Sequence, residues 1–84
     1  MSKLEKLLLR ICRLDKSLRF SEVRKVLESY GYVMFAPSGG SSHRTFRKSG
    51  KPPITIPEHD PIKRVYVLLV KEIIESEAGH EKKH

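Results

Sequence analysis

The sequence predicts an α+β domain in which helices cover one face of a three-stranded antiparallel sheet. Three observations carry that expectation. Apolar residues repeat with helical spacing at Leu4, Leu7, Leu8 and Ile11, and again at Val23, Val26, Leu27 and Tyr30. Between Tyr32 and Pro57 the helical period disappears, and two turn-forming clusters, Pro37-Ser38-Gly39-Gly40 and Ser49-Gly50-Lys51-Pro52, divide the segment into three short β-prone runs. After Asp60-Pro61 helical spacing returns.

Eighty-four residues make one domain, spanning 1–84, with a core of limited size. The first helix is expected over residues 3–14, with Leu14 extending its apolar stripe and Lys3, Lys6, Arg10 and Arg13 on the other side. A basic amphipathic helix can lie on a membrane. Packing against the domain is the expectation here, because the chain has little other core. Leu7-Leu8-Leu9 is too short and too closely flanked by charge to span a bilayer, and no cleavage site follows it. The lone Cys12 cannot form an internal disulfide, which fits a reducing cytoplasm; set among leucines and isoleucine, it is expected to be buried.

Ser21 is the expected N-cap of the second helix, which turns Val23, Val26, Leu27 and Tyr30 inward and Arg24, Lys25 and Glu28 outward. Gly31 ends it as a left-handed residue. The strands are expected at Tyr32–Ala36, His43–Lys48 and Ile54–Ile56, joined by short turns as a meander. Strand alternation sends Phe46, Ile54 and Ile56 to the core and His43, Thr45, Arg47 and Thr55 to the opposite face. Asp60 followed by Pro61 reads as an N-cap with proline at the first helical position. Ile62, Val65, Tyr66, Leu69, Val70 and Ile73 then form the inner face of a helix starting at 61–64 and ending near 77. Val65 to Val70 alone would pass for a buried strand; the polar residues after it favour helix. Gly79 is the expected stop, with 79–84 a frayed tail. The order is α-α-β-β-β-α. Without the first helix it is α-β-β-β-α, which resembles the double-stranded-RNA-binding domain.

Seventeen Lys and Arg against ten Asp and Glu give a net charge of +7, a statement about partners and not about fold. The excess is uneven. No acidic residue lies between Glu28 and Glu58, a stretch that holds His43, Arg44, Arg47, Lys48 and Lys51. Such a segment suits an anionic polymer, with RNA the first choice.

His43 is the sharpest catalytic candidate. Imidazole ionises at about 6.5 and can take and return a proton near neutrality. RNA carries its own nucleophile, the 2′-hydroxyl. A base that removes that proton lets the oxygen attack the adjacent phosphorus, and Arg44, Arg47, Lys48 and Lys51 are the cations available for the extra transition-state charge. Gly40, Ser41 and Ser42 can cradle a phosphate through N–H groups and hydroxyls, or simply form a hairpin loop. His59 is a possible second proton-transfer group; the competing expectation is a histidine satisfied by Asp60 or Glu58. Lys63 and Arg64 serve RNA, a partner, or only a solvated helix start. Cys12, His43 and His59 share no metal-ligand spacing, and the basic segment has no carboxylate cluster for magnesium, so neither a metal nor another cofactor is expected.

The same residues resemble the HicA toxins of HicA–HicB toxin–antitoxin systems over about residues 4–75. The resemblance is carried by Arg19-Phe20-Ser21, Leu27 to Tyr32, Gly40-Ser41-Ser42-His43-Arg44-Thr45-Phe46, Ile54-Thr55-Ile56-Pro57-Glu58-His59 and Ile62 to Val67. It implies a HicA-like core over 20–78 with the double-stranded-RNA-binding-domain-like fold. It also implies a metal-independent mRNA-cleaving enzyme acting through His43, and a HicB-like antitoxin that covers the active surface. The common Gly-Ser-His motif of the family carries one further serine here. No membrane partner and no DNA binding by this chain alone are expected. The alternatives are a non-catalytic RNA-binding module of the same fold, and a domain whose basic face meets an acidic protein.

Overall fold

The computed structural model describes residues 2–35 and 43–81. The elements run α1 (Lys3–Cys12), α2 (Phe20–Ser29), β1 (Val33–Phe35), β2 (His43–Arg47), β3 (Ile54–Pro57) and α3 (Arg64–Glu81). The sheet is antiparallel in the order β1-β2-β3. From α2 onward this is the α-β-β-β-α arrangement of the double-stranded-RNA-binding-domain-like fold, with α1 added in front.

α1 opens with a capping box. The Ser2 hydroxyl accepts the Glu5 amide at 3.2 Å, and the Glu5 carboxylate accepts the Ser2 amide at 3.0 Å. Leu7 and Ile11 are buried, with Leu4 and Leu8 packed beside them. The helix stops at Cys12 and not at Leu14. Leu14 turns left-handed with φ 56°, and the amides of Leu14 and Asp15 fold back onto the carbonyls of Ile11 and Arg10 at 2.9 and 3.0 Å. That is the Schellman closure, formed here with leucine where glycine is usual. Cys12 is exposed, contrary to the expectation. It follows buried Ile11 and lies about 100° further round the helix, outside the inward stripe.

Arg10 ties α1 to α2 and to the turn between them. Its guanidinium donates to Asp15 at 3.1 Å, to Glu22 of α2 at 2.8 Å and to the Ser17 hydroxyl at 3.1 Å.

Ser21 is not the cap of α2, which begins at Phe20 with Arg19 in the N-cap position. The Arg19 amide donates to Glu22 at 2.9 Å, and the Phe20 amide donates to the Asp60 carboxylate at 2.8 Å. Phe20 is thereby drawn into the core, 6.1 Å from the Phe46 ring. Gly31 closes the helix as expected, with φ +96°. Its amide and that of Tyr32 return to Glu28 and Leu27 at 3.0 and 3.1 Å.

The register pairs Met34 with Phe46, Thr45 with Thr55, and Phe46 with Ile54. Phe46, Ile54 and Ile56 join one core with Val23, Val26 and Leu27 of α2, Leu7 and Ile11 of α1, and Val67, Val70 and Ile74 of α3.

α3 departs from the expectation in three ways. Asp60-Pro61, a cis peptide, lies ahead of the helix instead of capping it, because the Asp60 carboxylate is committed to α2. The inward face is Val67, Val70 and Ile74, while Val65 and Leu69 are 62% and 37% exposed. An unbroken apolar run from Val65 to Val70 has no polar residue to mark its outer side, so packing partners choose the face. The helix also continues through Gly79 to Glu81. Glycine in a helix costs only about 1 kcal/mol relative to alanine, too little to force a stop. Among the described residues, no helix is long and apolar enough to cross a membrane.

Candidate active site

Strand pairing builds the site. β2 begins at His43 and β3 ends at Pro57, and the register sets these two residues opposite each other. The segment that leaves β3 therefore passes beside His43. Together with the start of α3 it encloses an open recess of about 420 Å³ lined by His43, Pro57, Glu58, His59, Ile62, Lys63 and Tyr66.

His43 is exposed and shares its strand parity with Thr45 and Arg47. Across the strands the Thr45 and Thr55 hydroxyls lie 3.4 Å apart. His59 is also exposed, and its partner is neither Asp60 nor Glu58. Its Nδ1 lies 3.1 Å from the Pro61 carbonyl oxygen. A carbonyl can only accept, so Nδ1 carries the proton and Nε2 of the neutral ring holds the lone pair. The fold thus turns one nitrogen of His59 to the backbone carbonyl of Pro61.

Three of the four cations named from the sequence, Arg44, Arg47 and Lys48, divide into two groups. Arg47 is exposed on the His43 side of the sheet, opposite Val33. Arg44 has the other parity and is half-buried. Its guanidinium donates to the Glu58 carboxylate at 2.7 Å and to the His43 carbonyl at 3.2 Å, so it ties the Glu58 side chain to the backbone of β2 beside the recess. Lys48 points to the helices. Its ammonium sits 3.0 Å from Glu77 and 5.7 Å from the centre of the Tyr32 ring. Burial raises the Tyr32 phenol above its ordinary pKa, with the Lys48 charge acting against that rise. Lys48 is therefore set apart from the recess. Gly40, Ser41 and Ser42 lie outside the described residues.

Lys63 and Tyr66 complete the recess. The sequence left Lys63 to RNA, a partner or a solvated helix start, and placed Tyr66 in the core. Their spacing of three residues places them on one helical face, but only the path of the 57–62 segment shows that this face meets His43. Among the described residues, no three His, Cys, Asp or Glu side chains are grouped to hold a metal ion. What the recess brings together is two imidazoles, a lysine, and a carboxylate engaged by arginine. That set can exchange protons with a bound molecule and offset a negative charge.

Searches of curated proteins and of solved structures return no match. A family model described as the HicA toxin of bacterial toxin–antitoxin matches residues 20–76. The matched segment runs from the first residue of α2 into the last turns of α3, taking in the whole sheet and every residue that lines the recess. With well over half of its length matched, the chain belongs to the HicA family of toxins of bacterial toxin–antitoxin systems.

Proposed function

We propose that the protein is an endoribonuclease that cuts mRNA in the cytoplasm without a metal ion and is neutralised by a HicB-like antitoxin. The observation that carries this reading is the placement of His43 and His59 in one solvent-open recess beside Lys63.

In this reading neutral His43 is the general base. It takes the proton of a ribose 2′-hydroxyl, and the oxygen attacks the adjacent phosphorus. The P–O5′ bond breaks as the P–O2′ bond forms. The leaving 5′-oxygen receives a proton from His59, whose Nδ1–H remains on the Pro61 carbonyl. The products are a 2′,3′-cyclic phosphate and a 5′-hydroxyl. Lys63 and Arg47 face the added negative charge and the neighbouring phosphates. Arg44 contributes through the backbone and Glu58 it holds, and Gly40, Ser41 and Ser42 remain proposed phosphate contacts. One placed acid–base group is worth roughly 10²–10⁴-fold. That suffices for an enzyme that disables a long message with a single cut.

Expression of the chain alone is expected to arrest growth, and His43→Ala to relieve the arrest while the protein stays folded. Purified protein in EDTA is expected to leave cyclic-phosphate ends on single-stranded RNA. Salt-sensitive binding without cleavage would instead identify a non-catalytic RNA-binding module. A folded His43→Ala protein of undiminished toxicity would remove His43 from the mechanism.

A further inference from the structure

The three helices gather on the face of the sheet that carries Phe46, Ile54 and Ile56. Among the described residues no element packs on the other face, and the residues of that face follow from the register. Phe35, Thr45 and Thr55 form one row across the three strands, Val33 and Arg47 a second, and His43 with Pro57 a third. Of the three phenylalanines, Phe20 and Phe46 meet in the core, whereas Phe35 is 51% exposed. Val33, two residues before it on the same face, is 57% exposed, and scattered exposed apolar residues are ordinary on a protein surface. The company of Phe35 is not. Phe35 lies directly opposite Thr45, so its diagonal neighbours on β2 are His43 and Arg47. Diagonal residues of an antiparallel pair are about 7–8 Å apart, within reach of aromatic and long side chains. A solvent-facing ring thus stands between an imidazole and a guanidinium, with two hydroxyls continuing its row.

We infer that this face is a nucleobase platform, and that Phe35 is the ring on which a base adjoining the cut phosphate stacks. The inference rests on the reading of the substrate as RNA. Unpaired bases are splayed out and stacked on aromatic side chains when proteins bind single strands, and arginine beside the ring holds the backbone or caps the base. The cationic side chain argues for a nucleotide over an apolar partner: Arg47 would lose its water against an apolar surface, but meets a phosphate on RNA. Stacking accepts every base, because each has a π-face, so the platform would position the chain with little choice of sequence. Thr45 and Thr55 supply the hydrogen-bonding groups for whatever choice exists.

The experiment compares two single-stranded probes, oligoadenylate and the same ribose-phosphate chain without bases. Binding is read by fluorescence anisotropy in a His43→Ala background, and cleavage is read with His43 intact. Phe35→Ala and Phe35→Leu are expected to weaken oligoadenylate binding by about 5- to 150-fold, while Phe35→Tyr stays close to the parent. All four proteins are expected to bind the base-free chain alike. In cleavage, Phe35→Ala is expected to raise KM by a similar factor. Full affinity in Phe35→Leu would overturn the platform by showing that bulk suffices. Equal losses on the two probes would overturn it by showing that the ring supports the fold. RNA cut by wild type and Phe35→Ala with the same KM would sink the platform and spare the nuclease. RNA neither bound nor cut by wild type would sink both.

Discussion

Replacing Asp60 tests how the recess is moored. α2 begins without a side-chain cap of its own, and the amide of its first residue, Phe20, is met by the Asp60 carboxylate from forty positions along the chain, at 2.8 Å. The bond does the work of an N-cap and also fixes the segment that carries His59. A hydrogen bond to a charged group is worth about 1.5–3 kcal/mol, and a carboxylate at a helix N-terminus adds about 0.3–1 kcal/mol through the helix dipole. Asp60 is exposed, so solvent screens both, and Asp60→Ala is expected to cost about 1–2 kcal/mol, the upper half of the range for N-caps. In a domain of this size that lowers Tm by roughly 4–16 °C. Asp60→Asn keeps an acceptor oxygen and loses only the charge, so it is expected to cost about 0.3–1 kcal/mol, with the difference from wild type shrinking as salt rises. Thermal unfolding followed by circular dichroism reads both. An alanine variant within about 0.3 kcal/mol of wild type would refute the argument, as would an asparagine variant less stable than alanine.

Phe46 is fully buried, and Phe46→Ala is expected to cost about 3–5 kcal/mol, a large share of the stability of a domain that has about 4–12 kcal/mol in all; urea denaturation would show a lowered midpoint. Gly31→Ala meets only the Lys48 side chain at an ordinary 3.5 Å, so its cost of about 1–2 kcal/mol comes from the left-handed backbone, and a shifted denaturant midpoint with unchanged slope would show it. A double-mutant cycle on Arg10 and Glu22 should give a coupling of about 0.5–1 kcal/mol, since both side chains are 28% exposed. The Ser17 hydroxyl and amide, then Arg10, hold the Asp15 carboxyl at about 2, below its ordinary 3.8. A carboxyl depressed by folding contributes stability that is complete above the ordinary value and lost as pH falls through the folded one. Asp15→Asn should therefore flatten the loss of stability between pH 3.8 and about 2, and the Asp15 carboxyl carbon should titrate near the lower value in NMR.

Much of this arrangement could be read from the chain because its signals are local. Val23, Val26, Leu27 and Gly31 mark a helix face and its end within nine residues, and Phe46 fixes which side of β2 holds His43. What could not be read depends on neighbours distant in sequence. Ser21 is a good cap by composition, yet Asp60 and Glu22 take the amides and the helix starts at Phe20. Val65 and Leu69 fit a helical stripe, but so does every residue between them. Arg44 and Lys48 read as equals of Arg47. Their engagement by Glu58 and Glu77 depends on where β3 exits and where α3 lies, which no spacing within 43–48 encodes.

The helix that precedes the matched residues also bears on how the molecule can be divided. Leu7 and Ile11 roof the hydrophobic interior, and Arg10 clasps Asp15 and Glu22 on either side of the junction at residue 20. A fragment cut at the family boundary would leave an oily strip on two helices and a carboxylate stripped of its counter-charge, inviting self-association. The segment that the family model matches and the hydrophobic core it belongs to thus begin at different places in the chain.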